Sequence, residues 1–167
     1  MSDAYEEWIA GERTLRFPPG PRHEQIVARL HQRVAAIMRD LHTTRLLPPR
    51  APVQVSPRDM VRPDLALVTA ANNKLWLAAE VISSEDHHAD TVEKKTLYQE
   101  LKLPRLWMVD PRYDNVEVYQ GTAHGITLKH ILSNRELLTE ALLPGFQLGL
   151  HELFSGSVTS ESSGYNF

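Results

Sequence analysis

The feature that most constrains the fold is an almost unbroken apolar run from Leu75 to Ile82, which carries one carboxylate, Glu80. The run has the length and composition of a strand. A charge buried in such a strand costs several kcal/mol unless it is paired or bound to a metal. Two simpler interpretations stay open: an edge strand whose Glu80 faces water, or an ion pair with Lys94 or Lys95.

The rest of the chain alternates between helical and strand patterns. Apolar residues at helical spacing predict a first helix over residues 22–42 and a second over 89–101. Shorter segments with strand chemistry are 13–17, 53–55, 65–68, 75–82, 106–109, 116–119 and 126–131, and a short helix is predicted at 151–154. We therefore expect an α/β or α+β fold with one central sheet, in a single domain over residues 1–154. Residues 155–167, rich in Ser and Gly, are predicted to be a flexible tail.

A second carboxylate, Asp64, stands at the start of the predicted strand before Glu80. Asn72-Asn73 between the two strands suits a turn, so the strands are expected to form a hairpin. Antiparallel neighbours place the start of one strand beside the end of the next, which brings Asp64 and Glu80 side by side. Paired carboxylates suit Mg²⁺ or Mn²⁺, and such an ion activates water and stabilises charge during phosphodiester hydrolysis.

A lysine on the second predicted helix completes the candidate site. Asp90, Lys94 and Tyr98 are spaced i, i+4 and i+8, so they share one helix face. From that face Lys94 would orient the attacking water and offset charge on the phosphate. A surface pair of Asp90 and Lys94 is the plainer interpretation. Lys95 is a weaker candidate because it lies about 100° away around the helix.

Charge and composition exclude some classes of protein and leave others open. The 167 residues carry a formal net charge of −3, but six arginines lie between Arg22 and Arg50, and the segment from Glu136 onward has four glutamates and no Lys or Arg. The basic segment would allow contact with phosphates, although a solvated helix face explains it equally well. The absence of cysteine excludes disulfides and thiolate metal sites. With no signal-peptide features at Met1–Glu7 and no apolar run of membrane-spanning length, we expect a cytoplasmic protein.

Several short motifs occur in an order that resembles a known family. They are Pro21-Arg22-His23, Arg62-Pro63-Asp64-Leu65, Glu80-Val81-Ile82-Ser83, the Asp90, Lys94 and Tyr98 helix, Trp107-Met108-Val109-Asp110-Pro111 and Leu143-Pro144-Gly145-Phe146. Together they resemble the PD-(D/E)XK nuclease superfamily, and within it the bacterial Uma-two family of restriction-endonuclease-like proteins. The resemblance runs from about Tyr5 to Phe154.

The resemblance implies a restriction-endonuclease-like fold, in which a central mixed sheet is flanked by helices. It also implies a metal site at Asp64 and Glu80, assisted by the carbonyl of Val81. In the parent superfamily the lysine stands two positions after the glutamate, where this chain has Ile82. The Uma-two pattern places the lysine on the next helix, at Lys94.

The resemblance further makes His23 and Tyr98 near-site residues. It implies Mg²⁺ or Mn²⁺ as the cofactor and DNA as the substrate, and a homodimer is expected by analogy. Two other functions remain open at this point: a non-catalytic nucleic-acid-binding or regulatory domain on the same fold, and an enzyme acting on another phosphoester.

Overall fold

The computed structural model describes residues 3–83 and 88–155. The strands in chain order are β1 Tyr5–Ile9, β2 Glu12–Arg16, β3 Thr44–Leu46, β4 Val53–Gln54, β5 Met60–Val61, β6 Leu65–Thr69, β7 Leu75–Val81, β8 Arg105–Asp110, β9 Asn115–Thr122, β10 Gly125–Leu132, β11 Leu137–Thr139 and β12 Gln147–Gly149. The helices are α1 Pro21–Met38, α2 Lys95–Glu100 and α3 Leu150–Ser155, and a π-helical segment, Ala89–Lys94, leads directly into α2.

Six strands form the central sheet, in the order β10-β9-β8-β7-β6-β3. The pair β7 and β8 is parallel, and the other neighbours are antiparallel. A parallel pair requires a crossover, and here it contains the π-helical segment and α2. The predicted mixed sheet flanked by helices is therefore confirmed, including the hairpin of β6 and β7, in which Leu65 pairs with Ala79.

The two faces of the sheet are covered by different parts of the chain. On one face α1 buries Ile26, Val27, Leu30 and Val34 in a core shared with strand residues such as Leu65, because these residues recur at helical spacing. The opposite face packs against α2 and a second sheet of order β2-β1-β5-β4. The candidate site lies on this second face, at the end of β7.

The hairpin of β1 and β2 begins the second sheet. Its two-residue turn, Ala10-Gly11, has φ of 55° and 76°, as the tight hairpin turns that match strand twist require. The sequence predicted β2 but not β1. In β1 the buried residues Glu7 and Ile9 alternate with the more exposed Glu6 and Trp8.

Some boundaries differ from the prediction. Helix α1 ends at Met38 rather than near residue 42, because the chain turns there and the amide of Leu41 donates to the Met38 carbonyl. The second predicted helix is π-helical in its first part. Of the predicted tail, residues 156–167 lie outside the described residues. In the described part of the chain, no helix is both long and apolar enough to cross a membrane.

Candidate functional site

Asp64 and Glu80 lie on the same face of the β6 and β7 hairpin. Leu65 pairs with Ala79, so Asp64 and Glu80, one position further out, stand opposite each other across the two strands. Asp64 is 3% and Glu80 2% exposed. The backbone amide of Val81 donates to Asp64 Oδ2 over 2.8 Å, which fixes the aspartate against the end of β7.

Lys94 contacts Glu80 directly. Its Nζ lies 2.6 Å from Glu80 Oε2, and the Tyr98 hydroxyl donates to the same oxygen over 2.5 Å. Asp90, Lys94 and Tyr98 are all buried, as their shared helix face predicts. The edge-strand interpretation of Glu80 is wrong because β7 lies between β6 and β8. The interpretation of Asp90 and Lys94 as a surface pair is also wrong, because both side chains are buried.

The simpler alternative of an ion pair between Glu80 and Lys94 is therefore part of the observed structure. Lys95 does not join it. Its ammonium lies 4.7 Å from the centre of the Tyr119 ring, on another side of the helix.

The hairpin of β1 and β2 contributes two charged residues that sequence reasoning missed. Glu7 lies 2.7 Å from Lys94 Nζ and accepts hydrogen bonds from Arg16 Nη1 over 2.5 Å and from the amide of Arg62 over 2.7 Å. Arg16 Nη2 lies 2.6 Å from Asp90 Oδ1, so the arginine joins β2 to the π-helical segment. The only signal in the sequence was the alternation that places Glu7 on the same side of β1 as Ile9.

Arg50 is a third residue that the sequence analysis did not assign to the site. Its Nη1 donates to Asp64 Oδ1 over 3.0 Å, and its Nη2 donates to Glu24 on α1 over 2.7 Å. The backbone of Arg50 is left-handed, with φ of 58°, in the loop that leads to β4. Asp64 therefore has a partner at each carboxylate oxygen, the Arg50 guanidinium and the Val81 amide.

His23 lies at the start of α1, beside the end of β7, as a near-site residue would. Its Nε2 is 2.7 Å from the Val81 carbonyl oxygen and 3.6 Å from Asp64 Oδ2. His31, about two turns further along α1, was not assigned to the site from the sequence. Its Nε2 lies 2.8 Å from the backbone carbonyl oxygen of Asp64. Two histidines of α1 thus connect the helix to the strand ends that carry Asp64 and Val81.

Six buried charged residues make up what we call the ion cluster: Glu7, Arg16, Asp64, Glu80, Asp90 and Lys94. Four carboxylates thus face two cations, and Arg50 at the rim is shared with Glu24. Burial raises the pKa of Glu80 to about 8, although Lys94 acts in the opposite direction. The nearby carboxylates of Asp64 and Glu7 add to the effect of burial. The cluster therefore has an excess of negative charge, which shifts Glu80 toward its protonated form.

The cations of the cluster stay charged. Burial alone would lower the pKa of Lys94, but the carboxylates of Glu7 and Glu80 outweigh it and raise that pKa. Burial likewise opposes ionisation of Glu7, yet Lys94 and Arg16 lower the pKa of Glu7 below its ordinary value. Glu7 is therefore the ionised partner of Lys94, whereas burial raises the pKa values of both Glu80 and Asp90.

The donor set around Asp64 and Glu80 suits a hard divalent cation. Across residues 3–83 and 88–155, no three His, Asp or Glu side chains are arranged to hold an ion. Mg²⁺ needs fewer, because it is commonly held by one or two carboxylates and keeps several waters. Asp64 and Glu80 are two such carboxylates, and a cation between them would offset the excess negative charge of the cluster. The Val81 carbonyl oxygen lies 2.7 Å from His23 Nε2.

A cavity of about 400 Å³ opens next to His23, and Asp64, Glu80 and Lys94 are not among its lining residues. Its lining includes His23, Ile82, Ser83, Arg22 and Arg112. Ile82 occupies the position of the parent superfamily's lysine, so the amine of this site comes from the helix instead. The remaining arginines of α1 are used in packing: Arg29 donates to the Leu153 carbonyl over 2.9 Å, and Arg33 pairs with Glu152 at 2.5 Å.

Comparisons with known proteins agree with this fold. The chain resembles the crystal structure of "a putative nuclease belonging to DUF820" from Anabaena variabilis, with a TM-score of 0.74 at 14% identity, over 90% of this chain and 89% of that one. At this identity the likeness shows a shared fold. No curated protein matches the chain. Residues 2–151 match the family Uma2, described as "Putative restriction endonuclease", and the chain therefore belongs to the Uma2 family.

Proposed function

We propose that this protein is a divalent-metal-dependent endonuclease that hydrolyses phosphodiester bonds in DNA. The observation that carries the proposal is the meeting of Asp64 and Glu80 at the end of β7, next to a lysine that contacts Glu80 at 2.6 Å. The membership of the family and the fold support it. Other scaffolds also bury ion pairs, but here the negative excess lies close to His23, which is 3.6 Å from Asp64 and lines an open cavity.

Each residue has a distinct part in the proposal. Asp64, Glu80 and the Val81 carbonyl would hold Mg²⁺ or Mn²⁺, and such an ion would supply stabilisation of charge on the phosphate and a lowered pKa for a bound water. Val81 N and Arg50 orient Asp64, because they occupy one carboxylate oxygen each. The Tyr98 hydroxyl orients Glu80 in the same way.

Lys94 orients the attacking water and offsets the negative charge that develops on the phosphate. Its ammonium has no solvent exposure and lies between Glu7 and Glu80. Glu7 acts as a positioning residue, because it fixes the ammonium from the side opposite Glu80.

The test is cleavage of supercoiled plasmid with Mg²⁺, with Mn²⁺ and with EDTA. We expect nicking or linearisation with either metal and none with EDTA. Asp64→Asn and Lys94→Ala should each lower the rate by at least about 100-fold, since each removes a group that acts on the reacting atoms. Lys95→Ala is the matched control, because it removes the neighbouring amine that lies over Tyr119. Plasmid cleavage that persists in both site variants would refute this mechanism.

A non-catalytic nucleic-acid-binding domain is the second candidate, and one observation favours it. Every carboxylate of the ion cluster already has a protein partner, as a purely structural network would. Calorimetric titration with Mn²⁺ separates the two functions. Heat of binding that disappears in Asp64→Asn supports the nuclease, and no binding by the wild type supports the second candidate.

A further inference from the structure

The cavity beside the site is the first of three neighbouring depressions. A second cavity, of about 550 Å³, shares Arg22 with the first and is also lined by Tyr113, Asn134 and His151. A third, of about 300 Å³, shares His151 with the second and reaches Arg135. Because neighbouring cavities have a lining residue in common, they form one path away from His23. We call this path the arginine groove.

The groove is lined by more cations than carboxylates. Its arginines are Arg22, Arg33, Arg112 and Arg135. Arg33 pairs with Glu152 and Arg112 with Asp110, so Arg22 and Arg135 are the cations most open to a new partner. Arg22 pairs with Asp114 at 2.8 Å, but both side chains are at least half exposed, so water screens this pair and the guanidinium can exchange its partner. Arg135 is exposed and forms no ion pair with any residue in 3–83 or 88–155. A groove of this kind attracts phosphate although the whole chain carries a charge of −3.

An aromatic ring lines the second cavity, next in sequence to Arg112 of the first. Tyr113, in the loop between β8 and β9, is 70% exposed. The Arg112 guanidinium lies 5.2 Å from the centre of its ring. An exposed ring next to a stacked guanidinium offers a base a flat surface on which to stack, and aromatic rings in basic grooves bind single strands in this way. Nothing apolar covers Tyr113 among the described residues, so its exposure has no packing explanation.

We propose that the arginine groove binds the DNA strand that leads away from the scissile phosphate. Tyr113 stacks on a base, and Arg22 and Arg135 contact phosphates on either side of it. The inference rests on the proposed function for its direction, since the groove starts at the cavity that His23 lines, 3.6 Å from Asp64. It goes further because it assigns a strand-binding role to residues that lie outside the ion cluster.

The experiment measures binding separately from cleavage. A labelled single-stranded DNA oligonucleotide is titrated with Asp64→Asn in EDTA, and fluorescence anisotropy is recorded at several salt concentrations. In this background Tyr113→Ala should weaken binding about tenfold, whereas Tyr113→Phe keeps the ring and should bind within about twofold. Arg135→Ala should reduce the slope of log affinity against log salt by about 0.7. Arg58→Ala, an exposed arginine by another cavity, is the control and should change neither quantity.

Two results overturn the inference: no binding of the oligonucleotide, or equal binding by the parent, Tyr113→Ala and Arg135→Ala. Tighter binding of an RNA of the same sequence would overturn the assignment to DNA. Cleavage assays separate this failure from that of the proposed function. If the wild type cleaves DNA with metal but the groove variants bind the oligonucleotide as tightly as the parent, the groove inference fails and the nuclease stands. If the variants lose binding but the wild type cleaves no substrate, the groove stands and the nuclease fails.

Discussion

Replacing Lys94 with Met should destabilise the fold in a way that depends on pH. The ammonium is fully buried and lies 2.7 Å from Glu7 and 2.6 Å from Glu80. In this variant Glu7 still pairs with Arg16, but Glu80 loses the cation that favours its ionised form. Removing one partner of a buried pair typically costs about 3–5 kcal/mol. For a chain of this size, that loss corresponds to a fall in Tm of roughly 10 °C.

The pH dependence follows from the raised pKa of Glu80. A carboxyl whose pKa is higher in the folded than in the unfolded state loses stability as pH rises from its ordinary value to the raised one. Without Lys94 the pKa of Glu80 rises further, since the lysine is the group that lowers it. The cost of Lys94→Met should therefore be largest at pH 9 and smaller at pH 6, where a proton replaces the missing cation.

Urea unfolding followed by circular dichroism in EDTA, at pH 6 and pH 9, measures both effects. Lys95→Met is the matched control and should cost less than about 1 kcal/mol, the range of an exposed cation–π contact. The double variant Lys94→Met with Glu80→Gln should recover part of the loss, because it removes the stranded charge. A cost below about 1 kcal/mol for Lys94→Met at pH 9 would refute the reasoning, since it would mean that the ion cluster contributes nothing to stability.

Three further predictions concern single positions. In EDTA, the unfolding free energy of Glu80→Gln should rise relative to the wild type between pH 5 and pH 9, because the glutamine never ionises; parallel pH curves in urea titrations would contradict this. Ala10→Asn should stabilise the protein by about 0.5–1 kcal/mol, since Asn tolerates the φ of 55° in the hairpin turn. Asn73→Ala, at φ of 56°, should cost a similar amount. Equal melting temperatures for both variants and the wild type would count against both predictions. Trp107→Phe should cost only about 1 kcal/mol, because the buried indole N–H has no acceptor among the described residues. Trp76→Phe removes a hydrogen bond of 2.7 Å from the indole N–H to the Thr44 hydroxyl oxygen, so it should cost more in the same unfolding assay.

The sequence was sufficient for the central sheet and for part of the site. The apolar run of β7 and the turn at Asn72-Asn73 indicated the hairpin, because both are local signals. The spacing of Asp90, Lys94 and Tyr98 predicted one face, and it holds although the first turn is π-helical. Membership of the Uma2 family agrees with the resemblance that the ordered motifs gave.

The missing part of the site depends on contacts between distant segments. Glu7 and Arg16 lie in polar strands without a strong periodic signal, and only their packing against Lys94 and Asp90 reveals their burial. Arg50 follows two prolines in a loop, and its left-handed backbone leaves no mark on local sequence patterns. Local periodicity specifies which residues share a face, but it cannot specify which second segment covers that face.

The hairpin of β1 and β2 also has a consequence for how the protein is made. Glu7 emerges from the ribosome long before Lys94, so the two charges cannot meet until more than half of the chain has been synthesised. The ion cluster is therefore completed late in synthesis, and a shortened chain that ends before Lys94 leaves the carboxylate of Glu7 without its lysine partner.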